Sequence, residues 1–227
     1  MPSITSENYR KALPDYIEDE GNVQFEIAPL TGLPADLPAP WKGILSADDP
    51  VGRVLEELWL PWRDLLPGTI AHLQKKLRCI GLLQTDEIPC SLIYCFEDDG
   101  EAVYFRGYPR RTIERDEAEK LPDDFLNLYK IHDGWTDITG FMGPLPNDNW
   151  FTLGDIYEEE YSEIVPGVRL SDFLVICDKG GSGYLGFDLS KSPPLGLVCA
   201  VGEPVEVSPD VVRTLDEWMA FELGNLM

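Results

Sequence analysis

Hydrophobic and polar positions in the first 50 residues show one short regular pattern. The run "VQFEI" at residues 23–27 alternates as a half-buried strand does. The segment around it is rich in Pro and Gly, which interrupt regular structure, so we expect residues 1–50 to be mostly irregular and packed around Trp41. This part of the chain therefore predicts little secondary structure of its own.

Helical spacing of apolar residues begins after Asp49. Asp49 can cap a helix and Pro50 suits its first position. A second helix is expected with Thr69 as its N-cap. Two β-rich runs then flank Asp99-Gly100, a dipeptide typical of tight hairpin turns. The pattern thus predicts two helices and a hairpin, followed by a charged connection at residues 110–120.

The second half opens with a helix at Pro122, where Asp123 and Asp124 favour the helix N-terminus. Asp133-Gly134 is a plausible stop for this helix. Four residues would share its apolar face: Phe125, Leu128, Tyr129 and His132.

Three strand-like runs follow in the second half, at residues 172–178, 183–189 and 195–201. Short turns join them, and parallel neighbours would need long crossovers, so the strands should be antiparallel. A final helix is expected with Ser208 as its cap and a buried stripe of Val212, Leu215 and Met219. The predicted fold class is α+β: an antiparallel β-sheet flanked by helices, with an N-terminal α+β extension.

One glycine motif suggests a nucleotide site. Gly181-x-Gly183-x-x-Gly186 has the spacing of a dinucleotide-binding loop and follows an apolar strand. That loop needs a helix directly after the glycines to receive the pyrophosphate, but the alternating run "YLGFDL" follows instead. We therefore interpret the motif as the turn of a β-hairpin and expect no cofactor.

Charge is the most unusual property of the composition. The chain has 41 acidic and 18 basic residues, a net charge of −23 and a pI near 4.2. The excess is concentrated in residues 116–227, with 22 acidic and 6 basic residues against 19 and 12 in residues 1–115. Such a surface repels nucleic acid and anionic membranes and attracts a basic partner, so we expect neither nucleic-acid nor membrane binding.

Candidate catalytic and metal-binding residues are few. The five cysteines are an odd number without a disulfide-like spacing, and they form no zinc-binding pairs with the two histidines. His132 and Asp133 are adjacent, so their side chains point apart and do not form a base and its orienting carboxylate. The expectation is no catalytic, cofactor-binding or metal-binding residue.

An acidic segment with interleaved aromatic residues is the candidate partner-binding site. Consecutive exposed carboxylates keep ordinary pKa values, which argues against the paired carboxylates of a glycosidase. Two interpretations remain, a solvated face and a docking surface for a basic partner, because aromatic residues among charges are typical of interfaces. The predicted partner-binding residues are Trp150, Asp155, Tyr157, Glu158, Glu159, Glu160, Tyr161 and Glu163.

Neither a signal peptide nor a membrane span is visible in the sequence. The first 20 residues lack an apolar core, and no segment approaches the roughly 20 apolar residues of a transmembrane helix. The expected location is the cytoplasm.

The second half resembles the SUKH superfamily (Smi1/Knr4-like domains). The family's opening motif is matched in order by Leu121, Pro122, Asp123, Phe125, Asp133 and Gly134. Its second signature, an apolar strand, a glycine-rich turn and a strand ending in Asp, is similar to residues 173–190. Asp133 departs from the pattern, which has Asn there. The resemblance covers residues 109–227, leaving residues 1–108 as an extension or a small α+β module.

The resemblance implies a non-enzymatic domain. Bacterial members are usually immunity proteins that bind and block a toxin of interbacterial competition, often a nuclease, as in toxin–antitoxin pairs, whereas fungal relatives are signalling scaffolds. The acidic composition suits the inhibition of a basic toxin. The alternatives are a scaffold or regulatory interaction module and, third, a carboxylate-based hydrolase.

Overall fold

The computed structural model describes residues 5–13, 17, 21–88, 90–157, 168–180, 183–200 and 203–226. In this part the α-helices are Ser6–Ala12 (α1), Ala39–Leu45 (α2), Pro50–Val54 (α3), Pro67–Lys76 (α4), Asp123–Leu128 (α5), Leu153–Ile156 (α6) and Val211–Asn225 (α7). The strands are Gln24–Ile27 (β1), Cys79–Gln84 (β2), Ser91–Asp98 (β3), Glu101–Gly107 (β4), Trp135–Asp137 (β5), Gly143–Pro144 (β6), Phe151–Thr152 (β7), Phe173–Asp178 (β8), Gly183–Asp188 (β9), Leu195–Ala200 (β10) and Glu206–Val207 (β11). The α+β class is confirmed. No helix in these residues is both long and apolar enough to cross a membrane.

The first sheet is an antiparallel meander in the order β1-β2-β3-β4-β5. The predicted strand at residues 23–27 is β1, and the predicted hairpin is β3 and β4. Asp99 and Gly100 both have positive φ, 46° and 84°, as a two-residue hairpin turn requires. The prediction missed β2, although four of its six residues are buried.

The two faces of the first sheet are covered by different parts of the chain. On one face α1 packs with Tyr9 and Leu13 against a small cluster that includes Ile93, Cys95 and Tyr104. The opposite face belongs to the main core, a single cluster of buried residues drawn from positions between Leu37 and Leu223. Since successive strand residues point to opposite faces, this sheet is buried on both sides.

The second sheet has the order β11-β10-β9-β8-β6, and β7 also pairs with β8. Strands β8 and β9 form the hairpin predicted at the glycine motif. A Cβ on Gly186 would lie 2.0 Å from the Leu174 carbonyl oxygen, so close packing of neighbouring strands requires this glycine. Gly183 begins β9, whereas Gly181 lies outside the described residues. The glycine spacing thus serves a hairpin.

Helix starts show where local prediction succeeds and fails. Asp49 caps α3 as predicted, accepting the Gly52 N–H at 2.9 Å. Thr69 is not the N-cap of α4, because the helix already begins at Pro67. Ser208 does not cap α7 either: the Asp210 carboxylate accepts the Arg213 N–H at 2.9 Å.

The helix predicted at Pro122 is shorter than expected. It is α5, which ends at Leu128, so His132 lies beyond it and not on its face. The four residues assigned to that face are nevertheless all buried. The predicted stop at Asp133-Gly134 is wrong, because the helix has already ended at Leu128. Gly134, with a φ of 85°, instead leads the chain into β5.

The two parts of the chain on either side of residue 108 are in direct contact. Strand β5, from the second part, completes the first sheet by pairing with β4. Helix α4 packs along α7, and Lys76 donates to the Gly224 carbonyl oxygen at 2.8 Å. The division into residues 1–108 and 109–227 stays a prediction about sequence organisation.

Candidate functional site

The described part of the predicted partner-binding segment consists of Trp150, β7, α6 and Tyr157. The Asp155 carboxylate accepts the Thr152 N–H at 2.6 Å and the Thr152 hydroxyl at 2.9 Å, which closes the first turn of α6. The Ile156 side chain is 51% exposed. A capped turn therefore presents an apolar side chain and a carboxylate to solvent side by side.

Aromatic residues from β7 and β9 pack around the turn formed by α6. The Tyr157 and Tyr184 hydroxyl oxygens lie 3.2 Å apart, and the Phe151 ring stands edge-on to Tyr184 at 6.2 Å. Burial raises the pKa of the Tyr184 hydroxyl, and the hydrogen bond with Tyr157 raises it further. Tyr184 is therefore neutral at physiological pH and anchors the half-buried Tyr157 to β9.

Trp150 belongs to the core and not to the surface, although it is part of the predicted site. Its side chain is 3% exposed, and its indole N–H donates to the Tyr129 hydroxyl at 2.8 Å. Phe125 packs against the same indole. A bulky indole with its polar atom satisfied is stably buried, so Trp150 can position β7 but cannot contact a partner directly. Glu158, Glu159, Glu160, Tyr161 and Glu163 lie outside the described residues.

A groove between α5, α7 and the turn before α4 is a second acidic surface, which the sequence did not predict. Adjoining hollows of about 380, 270 and 260 Å³ share Asp210 as a lining residue. Arg213 lies in the groove and donates to Glu217 at 3.0 Å. The acidic lining residues are Asp64, Asp124, Asp210, Asp216 and Glu217. Such a groove can attract the basic side chain of a partner.

His132 is enclosed in an aromatic cluster instead of an active site. Its Nε2 lies 2.6 Å from the Tyr94 hydroxyl, which accepts the Trp59 indole N–H at 3.0 Å. His132 Nε2 accepts the Tyr94 proton when the ring carries its own proton on Nδ1, and donates to the hydroxyl in the other tautomer. Burial lowers the pKa of His132 to about 3, so the ring is neutral at physiological pH. A neutral, inaccessible ring holds the first sheet against the second part of the chain.

Asp133 fixes the loop that follows α5. One carboxylate oxygen accepts the Asn147 backbone N–H at 2.9 Å and the Asn147 amide N–H at 2.7 Å. Burial raises the pKa of Asp133, and the hydrogen bonds from Asn147 oppose that rise. The Arg111 guanidinium lies 3.9 Å from the other oxygen. Asp133, at the position where the SUKH motif has Asn, is therefore held by its contacts with Asn147 and Arg111.

Metal binding can be examined only in the described ranges. Within residues 5–157 and 168–226, apart from the undescribed positions, no three His, Cys, Asp or Glu side chains are grouped to hold an ion. Around α6 the structure brings together an acidic side chain, Asp155, and the aromatic side chains of Tyr157 and Tyr184. This composition suits contacts with a protein.

Comparison with known proteins gives one match. The family model described as SMI1 / KNR4 family (SUKH-1) matches residues 111–220, which contain α5, β5–β11 and most of α7. No curated protein and no solved structure matches the chain significantly. The matched range agrees with the residues that carry the motifs, from Leu121 to the final helix. Residues 111–220 of the chain are therefore similar to the SMI1 / KNR4 family (SUKH-1), the family that the sequence motifs resemble.

Proposed function

We propose that this protein is a non-enzymatic immunity protein that binds and neutralises a basic toxin or effector domain. The observation that carries the proposal is the similarity to the SUKH-1 family in a chain of net charge −23. Acidic inhibitors can occupy a cleft that evolved to hold phosphates and gain association rate by electrostatic steering. The proposed location is the cytoplasm, where such an inhibitor would meet an incoming effector.

The proposed contact surface is the segment at residues 150–163, in which the buried Trp150 supports the residues that follow it. The exposed Ile156 beside Asp155 supports it, because an apolar centre bordered by charge is typical of protein interfaces. Five further residues of the segment are proposed to extend this surface: Glu158, Glu159, Glu160, Tyr161 and Glu163. The acidic groove is the competing location on the same protein.

A carboxylate-based hydrolase is the less favoured function. An acid catalyst needs a raised pKa and access to the substrate. Asp133 has the raised pKa, but its side chain is 1% exposed and closed in by Asn147 and Arg111. Its position favours a structural role.

The partner is best sought in the neighbouring gene, as the basic C-terminal domain of a large secreted protein. Titration calorimetry of that domain with the full chain should give a single 1:1 complex, weaker at 500 mM than at 50 mM NaCl because salt screens the attraction. Weak binding to several host proteins, without one tight complex, would support a scaffold instead.

Charge reversal locates the interface. Replacing Glu158, Glu159 and Glu160 by lysine is expected to weaken the complex about tenfold, mainly through slower association. The matched control reverses three exposed glutamates elsewhere, Glu87, Glu101 and Glu114, and should change affinity by less than about threefold.

A second pair of variants tests the groove. If Asp64→Lys with Glu217→Lys abolishes binding while the change at residues 158–160 has no effect, the interface lies in the acidic groove and the assignment to residues 150–163 is wrong. If none of the three sets alters affinity, electrostatic attraction does not drive the complex.

A further inference from the structure

Two cysteines lie directly opposite each other in the first sheet. Cys79 in β2 and Cys95 in β3 are register partners in an antiparallel pair, so their side chains project from the same face. Residues opposite each other in such a pair have Cα atoms about 4.5–5.5 Å apart. That separation falls inside the range of about 4.4–6.8 Å spanned by disulfides.

Both thiols are free. Burial raises the pKa of the Cys95 thiol well above its usual value, and a hydrogen bond with Cys79 raises it further. Tyr9 from α1 lies over the pair: burial raises the pKa of its hydroxyl, and the two cysteines add to the rise. No hydrogen-bond partner is found for that hydroxyl among the described residues.

Access to the two thiols is unequal. Cys79 is half-buried at the start of β2, whereas Cys95 is 0% exposed. An external reagent can therefore reach Cys79 first, and Cys95 is placed to attack the product. The chain's other buried cysteines lack this arrangement: β9 separates Cys177 in β8 from Cys199 in β10, which puts them roughly 9–10 Å apart.

We propose that Cys79 and Cys95 are a redox modification site that forms a reversible cross-strand disulfide by exchange with a small-molecule disulfide. Cys79 loses its proton, and its thiolate attacks one sulfur of the reagent, which stays bonded to Cys79 as a mixed disulfide. The other sulfur leaves and takes up that proton, which gives one equivalent of thiol. The Cys95 sulfur then attacks the mixed disulfide at Cys79, loses its own proton and releases the second equivalent of thiol. Two protein thiols are oxidised and one disulfide is reduced.

The modification ties β2 to β3 beneath α1. It closes a loop of about 15 residues and restricts the unfolded chain, so the oxidised protein should unfold roughly 5–10 °C higher than the reduced form. The site lies on the face of the first sheet covered by α1, and it does not depend on the proposed binding function.

Oxidised glutathione tests the site in the full-length protein. After incubation, free thiols are alkylated in denaturant and the peptides are mapped by mass spectrometry. The expected result is a Cys79–Cys95 cross-linked peptide, two equivalents of released glutathione, and complete reversal by dithiothreitol. Cys177→Ser should behave as the wild type, because Cys177 takes no part.

The variants separate the two chemical steps. Cys95→Ser should stop at a mixed disulfide of glutathione on Cys79, whereas Cys79→Ser should form no disulfide. Wild-type protein that remains glutathionylated at Cys79, or that keeps both thiols free while other accessible cysteines react, would overturn the proposal. Because the decisive readout is made on the wild type, poor folding of either variant does not affect it.

Discussion

Asp216→Ala is expected to lower the free energy of unfolding by about 3 kcal/mol. The Asp216 side chain is 6% exposed, and its two oxygens accept the Gly68 and Thr69 N–H groups at 2.9 and 2.8 Å. Removing the carboxylate leaves two amide donors at the start of α4 without a partner, and each buried unpaired donor is costly. Urea unfolding at pH 7, followed by tryptophan fluorescence, measures the change.

Glu217→Gln is the matched control for this prediction. Glu217 follows Asp216 on α7 but is exposed and pairs with Arg213 on the surface, so its replacement should change stability by less than about 0.5 kcal/mol. A loss below about 1 kcal/mol for Asp216→Ala would mean that water replaces the carboxylate at the start of α4.

Mild acid is expected to destabilise the protein through His132. Its pKa is about 3 in the folded chain and 6.5 in the unfolded chain, so between these values only the unfolded state takes up the proton. Stability is full above pH 6.5 and falls as pH decreases through this window. Relative to pH 7, His132 alone should cost about 2 kcal/mol at pH 5 and about 3 kcal/mol at pH 4. Urea titrations at a series of pH values measure this slope.

Carboxylates also titrate in this range, so the variant and not the wild type isolates the effect of His132. His132→Phe keeps a ring beside Trp41 and Trp59 but removes the titrating group. It should reduce the loss between pH 7 and pH 5 by about 2 kcal/mol. If His132→Phe and wild type lose stability in parallel, protonation of His132 is not what destabilises the fold in acid.

Elements governed by neighbouring residues could be predicted from the sequence. The β3–β4 hairpin follows from two residues that accept positive φ, and the start of α3 from the short-range contact of Asp49 with Gly52. The start of α4 could not be predicted in this way, because its first N–H groups bind a carboxylate from the last helix. Strand β2 was missed because "CIGLLQ" has neither strict alternation nor a turn signal before it.

The candidate site was predictable to a smaller extent. An acidic run identifies an acidic surface only where the acids are contiguous, whereas the groove is lined by residues from three distant parts of the chain, such as Asp64, Asp124 and Glu217. Aromatic character alone does not distinguish an interface residue from a core residue, which is why Trp150 was assigned to a surface. Likewise, cysteine spacing did not indicate the Cys79–Cys95 pair, because strand register brings the two together.

The bond between Asp216 and α4 has a consequence for the order in which the protein is made. Residues 68 and 69 leave the ribosome well before their carboxylate partner, which is 148 and 147 positions further along the chain. The edge of strand β4 likewise stays unpaired until β5 has been synthesised and pairs with it. The nascent chain therefore carries an open edge at β4 until residues 135–137 have emerged, and an α4 without its carboxylate partner until Asp216 has emerged. A chaperone that shields these two segments should raise the yield of folded protein.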